Sequence, residues 1–240
     1  MTSAEDLVRT DSEVAALQKL RDITGESGGP MERHSLRVFL IADRLATVRD
    51  ATIDREVLLI AGLLHDIGLY DEASHGGAYV RDGAEFTAGL LREQGWDQER
   101  IRLCFDAIER HHELRSQWDR GAEVELIRRA DLVDLTYGLV RFDASREWLR
   151  DLFRSVSRDG TYPTIGGRVA RQLIHRPLRG AVALHRAVRT SSIGDNPGIA
   201  DITRPGMDGV GDGIHLLGIA SAHGDGVRAL EVAVHLIIAV

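Results

Sequence analysis

The apolar run at residues 57–64, Val57-Leu58-Leu59-Ile60-Ala61-Gly62-Leu63-Leu64, ends on His65-Asp66, and this junction constrains the fold more than any other feature of the chain. A run apolar all round predicts a buried helix, so the polar pair behind it enters the interior. Burying a polar group without a partner costs roughly 2–7 kcal/mol. His65 and Asp66 therefore need partners, and a divalent metal is one that satisfies both. Neighbouring residues on a helix diverge by about 100°, so the two can share a metal only at a helix end or distortion. Gly68 supplies that end.

Helical periodicity runs through most of the chain on either side. Residues 4–23 predict one or two short amphipathic helices, broken by the stretch from Gly25 to Pro30. Residues 31–48 predict a helix with a broad buried side and His34 in its first turns. The buried helix spans about 54–65, with Asp54 as its N-cap. A polar loop over 69–83 leads to a helix from Ala84 to about Gln94, closed by Gly95. Asp97 caps the next helix, which carries Ile101, Phe105, Ile108 and His112 in one arc, with His111 on its flank. Residues 122–140 and the stretch after Asp143 predict two more. Arg158 to Pro163 reads as a turn, and a short helix over 169–175 closes the series. Beyond Ser191, glycines without periodicity predict a loosely ordered tail. The expected organisation is an N-terminal extension at 1–30, a helical domain at 31–190 and the Gly-rich tail at 191–240. The fold class is all-α.

Composition narrows the partners. A formal net charge of −7 over 240 residues gives no electrostatic footprint for a nucleic-acid polymer. Lys19 is the only lysine among 30 basic residues, so arginine is everywhere and its position alone says little. One cysteine, Cys104, excludes an intramolecular disulfide. No apolar run reaches the roughly 20 residues that cross a bilayer, and the N-terminal stretch lacks a signal-peptide pattern. A cytoplasmic protein without membrane attachment is the expectation, and a homo-oligomer is compatible with it.

Metal-ligating side chains on helices with a buried face are His34, His65, Asp66, His111, His112 and Asp131. Imidazole and carboxylate suit Mn, Fe, Co, Ni or Zn, and donors spread over four helices converge only in a bundle core.

In order, His34-Ser35-Leu36-Arg37-Val38, Leu64-His65-Asp66-Ile67-Gly68, Gly83-Ala84-Glu85, Ala107-Ile108 to His111, and Ala130-Asp131-Leu132-Val133-Asp134 resemble the H…HD…D signature of the HD-domain metal-dependent phosphohydrolase superfamily. The resemblance runs from about residue 31 to about 140. It implies an all-helical bundle in which His34, His65, Asp66 and Asp131 ligate one divalent transition metal. Members with a second metal often carry a histidine where this chain has Tyr79, which points to a mononuclear site. His111 matches a later family histidine that faces the substrate or a second metal.

The resemblance further implies a hydrolase that uses a metal-acidified water on a phosphoester or nucleotide, with Asp66 orienting the water and His111 moving a proton. Asp134 is then a partner that fixes a ligand histidine's tautomer. Arg37, Arg81 and His112 are candidates for contact with a small, anionic substrate or, like Asp134, for a place behind the ligands. The His-Ser-x-Arg-Val, His-Asp-Ile-Gly and Ala-Ile-x-x-His segments are also similar to cyanamide-hydratase-like members, which hydrate a nitrile. A non-catalytic ligand-binding module is the third alternative.

Overall fold

Local sequence sets the helix boundaries. The computed structural model describes residues 3–175, and among these it contains eight α-helices and no strand. They are α1 (Asp11–Thr24), α2 (Pro30–Val48), α3 (Arg55–Leu64), α4 (Tyr79–Glu93), α5 (Gln98–Glu109), α6 (Ala122–Leu135), α7 (Arg146–Ser155) and α8 (Thr161–His175). Thr10 and Glu13 form a reciprocal capping box that starts α1, and Gly25 ends it at φ 71°. Asp54 caps α3 through the amides of Glu56 and Val57. Asp97 caps α5 through those of Glu99 and Arg100.

The run at 57–64 is buried along its whole length, so α3 is the central rod of the bundle. It packs on α1, α2, α5 and α6; α2 lies along α6, and α4 along α5. Two charged ties fix its start: Arg55 reaches Glu13 at 2.8 Å, and Arg100 grips Asp54 and Glu56 at 2.6 Å each. Among the described residues no helix is long and apolar enough to cross a membrane.

Several boundaries differ from the sequence expectation. The helix expected from Ala84 begins at Tyr79, so Gly83 lies inside α4 and is a packing residue, not a breaker. A Cβ on Gly68 would meet the Tyr79 carbonyl oxygen at 2.0 Å and the Gly83 nitrogen at 2.7 Å, so only glycine lets these two segments touch. The expected 69–83 loop instead holds 3-10 turns at Ile67–Leu69 and Asp71–Ala73. Asp82 gathers the remainder, accepting from the Ser74 hydroxyl and the amides of His75 and Gly77. The expected 122–140 helix stops at Leu135, where Tyr137 and Gly138 turn left-handed at φ 56° and 70°. Ser145 caps α7. Residues 161–163, expected in a turn, are the first turn of α8, where Pro163 has no helical hydrogen bond to break. The expectations for 191–240, and for the last part of 31–190, lie outside the described residues.

Candidate metal centre

Four helices deliver one polar cluster to the apolar centre. His34 comes from the second turn of α2, and Asp131 and Asp134 lie one helical turn apart on α6. His65 caps the C-terminus of α3 with helical torsions, and Asp66 leaves the helix at φ −102°, ψ 8°. That change of direction lets two consecutive side chains face one point. His111 and His112 follow the end of α5 after Arg110, their rings tilted at 46° with centroids 4.0 Å apart. The turn that carries them is held from α6, where Glu125 accepts from the Gln117 amide and Arg128 reaches the Glu113 carbonyl. His34, His65, Asp66, His111 and Asp131 are all 5% exposed or less.

The hydrogen bonds fix the tautomers. His65 Nδ1 lies 2.9 Å from the Gly62 carbonyl and His111 Nδ1 2.6 Å from the Ile108 carbonyl. A carbonyl only accepts, so both Nδ1 atoms donate, and in the neutral rings both Nε2 atoms carry the lone pair. His34 Nδ1 lies 2.8 Å from Asp134 Oδ2 and donates likewise. His34 Nε2 and His65 Nε2 then face each other at 3.1 Å. Two lone pairs at that distance repel unless a proton or a cation lies with them.

Carboxylates complete the cluster. Asp66 Oδ2 lies 3.6 Å from His34 Nε2 and 3.5 Å from His65 Nε2, and Asp131 Oδ1 lies 3.5 and 3.8 Å from the same atoms. Burial alone would push His34 down, but Asp131, Asp134 and Asp66 together hold it well above its ordinary value. Burial would raise Asp66, yet the surrounding histidines hold it well below the carboxylate range. A field that so favours positive charge on His34 also favours a bound cation.

The cluster's supports were less visible in sequence. Asp134 is gripped by Arg37, Nε to Oδ1 at 2.7 Å and Nη2 to Oδ2 at 2.9 Å, and Arg37 also donates to the Ser157 carbonyl at 2.7 Å. Tyr162 donates to the Asp134 carbonyl at 2.7 Å. Tyr79 hydrogen-bonds His112 Nε2. Burial, together with Asp66 and Asp131, keeps the Tyr79 phenol well above its usual range, so it stays protonated and donates. Burial and the neighbouring His111 push His112 down to about 3, so it stays neutral.

Of the residues expected at the substrate or behind the ligands, Arg37 lies behind them and Arg81 lies away from the cluster. Arg37 is fully buried and holds Asp134, leaving no face for a substrate. Arg81 lies on the outer surface, paired with Glu85 and Glu109 at 2.7 Å each. The cation that sequence reasoning passed over is Arg168 of α8, whose guanidinium lies 3.4 Å above the Tyr70 ring. Burial raises the Tyr70 phenol; Arg168 opposes that rise and the Asp66 carboxylate adds to it.

Residues 31–136 match the HD domain family. The matched span holds all six clustered histidines and aspartates, with Asp134 and Arg37 behind them. HD domains form a superfamily of metal-dependent hydrolases, and the all-helical architecture of the described residues is consistent with an HD-domain helical fold. No curated protein matches the chain.

The donor set fits a divalent metal. Ligands at about 2.1 Å from one ion lie about 3.0–3.4 Å apart along a tetrahedral or octahedral edge, close to the 3.1–3.8 Å separations seen here. Three overlapping triads have metal-holding spacing: His34-His65-Asp131, His65-Asp66-His111 and His111-His112-Asp131. Asp66 Oδ1 and His111 Nε2 are buried, 3.5 Å apart, and have no hydrogen-bond partner. A native interior rarely leaves such atoms unsatisfied, and a cation with its water would satisfy both.

Proposed function

We propose that this chain is a metal-dependent hydrolase of small anionic substrates, most directly phosphoesters or nucleotides. The observation that carries the reading is the convergence of three Nε2 atoms, each on a ring whose Nδ1 is engaged by an acceptor, beside two buried carboxylates. His34, His65, Asp66 and Asp131 would hold one divalent cation, of the Mn, Fe, Co, Ni or Zn group. When bound, that cation supplies Lewis-acid polarisation of an electrophile and makes water acidic enough to react near neutral pH.

The chain's own groups do the rest. Asp66 Oδ1, without a protein donor, accepts a hydrogen bond from the attacking water and so orients it. His111 Nε2, 3.5 Å from that oxygen, takes and returns the proton. Tyr79 and Asp131 hold His112 against His111 and keep the pair from turning away. Arg168, stacked on Tyr70, faces the anionic group, a role for which a planar guanidinium suits phosphate.

The test is a screen of the metal-reconstituted protein against nucleotides, simple phosphoesters and small nitriles, with each metal in turn. Metal-dependent release of phosphate or nucleoside supports the reading. Nitrile hydration with no phosphoester turnover would replace it with a hydratase, and bound metal without turnover of any class would leave a binding module.

A further inference from the structure

A second charged feature lies on the outer face of α4 and α5. It is a groove of about 450 Å³, lined by Arg81, Arg92, Arg102, Arg110 and Arg120 against only two carboxylates, Asp106 and Glu109. Outside that lining Glu85, Glu113 and Asp119 also pair with these arginines; Arg81 is paired at 2.7 Å, whereas Arg102, Arg110 and Arg120 reach carboxylates only at 3.9–4.0 Å. The groove between α1, α2 and α7 differs: its two arginines face Glu5, Glu32 and Asp159, and Arg21 is neutralised by Glu5 and Glu32 at 2.7 and 2.8 Å.

Most of the guanidiniums in the α4–α5 groove lack a hydrogen-bonded counterion. Arg102 approaches Asp106 only to 3.9 Å, and Arg120 approaches Asp119 only to 3.9 Å. Arg92 has no ion-pair partner among the described residues. Arg110 has three carboxylates at 3.9–4.0 Å, and its Nε is buried with no hydrogen bond at all. A buried, unpartnered donor is costly, and here it sits in a basic groove. The floor is apolar, formed by the buried Ile101 and the half-buried Phe105. The volume falls within the roughly 300–1,000 Å³ of small-molecule sites.

We infer that this groove is a binding site for a phosphate-rich small molecule, separate from the metal centre. Its class is a compact polyanion, either inorganic polyphosphate or the phosphate chain of a nucleotide. Guanidiniums recognise phosphate oxygens in pairs, and several arginines around one small volume suit two or three phosphates better than one. The site is joined to the cluster through the chain. Arg110 caps α5 by donating its amide to the Asp106 carbonyl at 3.1 Å, and His111 and His112 come next. Arg81 stands two residues after Tyr79, the partner of His112. A polyanion that bridges Arg81 and Arg110 therefore holds both segments that position the histidine pair.

The experiment is calorimetric titration of the full-length, metal-free chain with inorganic triphosphate and, separately, with ATP. Saturable binding is expected with both, weakening steeply as salt rises from about 0.05 to 0.2 M. Arg92→Glu/Arg102→Glu should lower affinity by about tenfold or more, while His65→Ala/Asp66→Ala should leave it unchanged. Equal affinities assign the site to phosphate alone; tighter ATP binding assigns it to a nucleotide. Arg92→Gln/Arg102→Gln, with circular dichroism as the check on folding, serves if the charge reversal does not fold. The proposal is overturned by unchanged affinity in the folded arginine variant, by loss of binding in the His65/Asp66 variant, or by no saturation at about 1 mM, where binding energy has fallen to about 4 kcal/mol.

Discussion

Replacing Asp134 by asparagine separates what holds the fold from what prepares the metal centre. Asp134 is fully buried and accepts three donors, His34 Nδ1 and two nitrogens of Arg37. Asparagine keeps the shape but removes the counterion of a buried guanidinium, and breaking a buried pair costs about 3–5 kcal/mol. At about 2–4 °C per kcal/mol for a domain of this size, the melting temperature should fall by roughly 6–20 °C. The second effect is chemical. An asparagine amide turned toward His34 donates to Nδ1 and moves the imidazole proton to Nε2, the atom that faces His65. A protonated Nε2 cannot ligate, so metal affinity should fall by about 10–100-fold, the usual cost of losing such an orienting partner.

Chelator competition reads the affinity and a thermal melt reads the stability. Arg37→Met/Asp134→Leu discriminates further: an apolar pair should recover much of the melting temperature, while His34 Nδ1, left without an acceptor, should keep the affinity low. Asp134→Asn with affinity within about twofold of wild type would refute the tautomer argument. The pH dependence follows the same bond. Burial alone would raise Asp134, but Arg37 and His34 override it and hold the carboxyl well below its ordinary value. A depressed acid contributes stability that is fully present above its ordinary range near pH 4 and is lost as pH falls toward the folded value. Acid unfolding of Asp134→Asn should therefore be flatter below about pH 4 than that of wild type.

Four further outcomes are expected. His65→Ala/Asp66→Ala should lose bound metal, measured by elemental analysis, while keeping its helical circular dichroism, because α3 is set by apolar burial; full metal occupancy would refute the assignment. Gly68→Ala should destabilise by about 1–3 kcal/mol or more, since its Cβ meets backbone at 2.0 and 2.7 Å; an unchanged denaturation midpoint would show that the Gly68–Gly83 contact is not needed. Arg168→Gln should raise KM for a phosphoester by about tenfold with metal content intact; a change confined to kcat would remove Arg168 from substrate binding. Cys104, buried and pushed up by that burial to about 12, should resist thiol reagents in the native protein and react on unfolding; fast native labelling would contradict its placement.

The parts of this protein legible in sequence were those whose cause is local. His65-Asp66 stood out because an apolar run ended on two polar residues, and Asp54 and Asp97 because capping needs only the next three amides. The start of α4 was hidden because Tyr79 to Gly83 reads as polar and glycine-bearing; the reason it is helical is a contact with Gly68, which no periodicity reveals. Arg37 was noted as a candidate for substrate contact or for support behind the ligands, but the partner it holds lies 97 residues away. Arg168 was lost among many arginines, and only its stacking on Tyr70 distinguishes it. Tyr79 was read as an absent ligand, whereas the structure gives its hydroxyl a partner in His112.

The bond between His34 and Asp134 joins residues 100 positions apart, and His34 meets His65 across 31. Contacts of such separation close large loops and form late in folding. While the chain is being made, α2 and α3 can pack as soon as both have emerged, yet their two facing imidazoles have no second carboxylate until Asp131 follows. Synthesis thus builds in an order of events: a partly made chain presents an incomplete set of donors, and the full one exists only once α6 has docked along α2. Capture of the ion should then mark the completion of the fold, and pulse-labelled, truncated chains ending before Asp131 should fail to retain metal that chains extending past α8 retain.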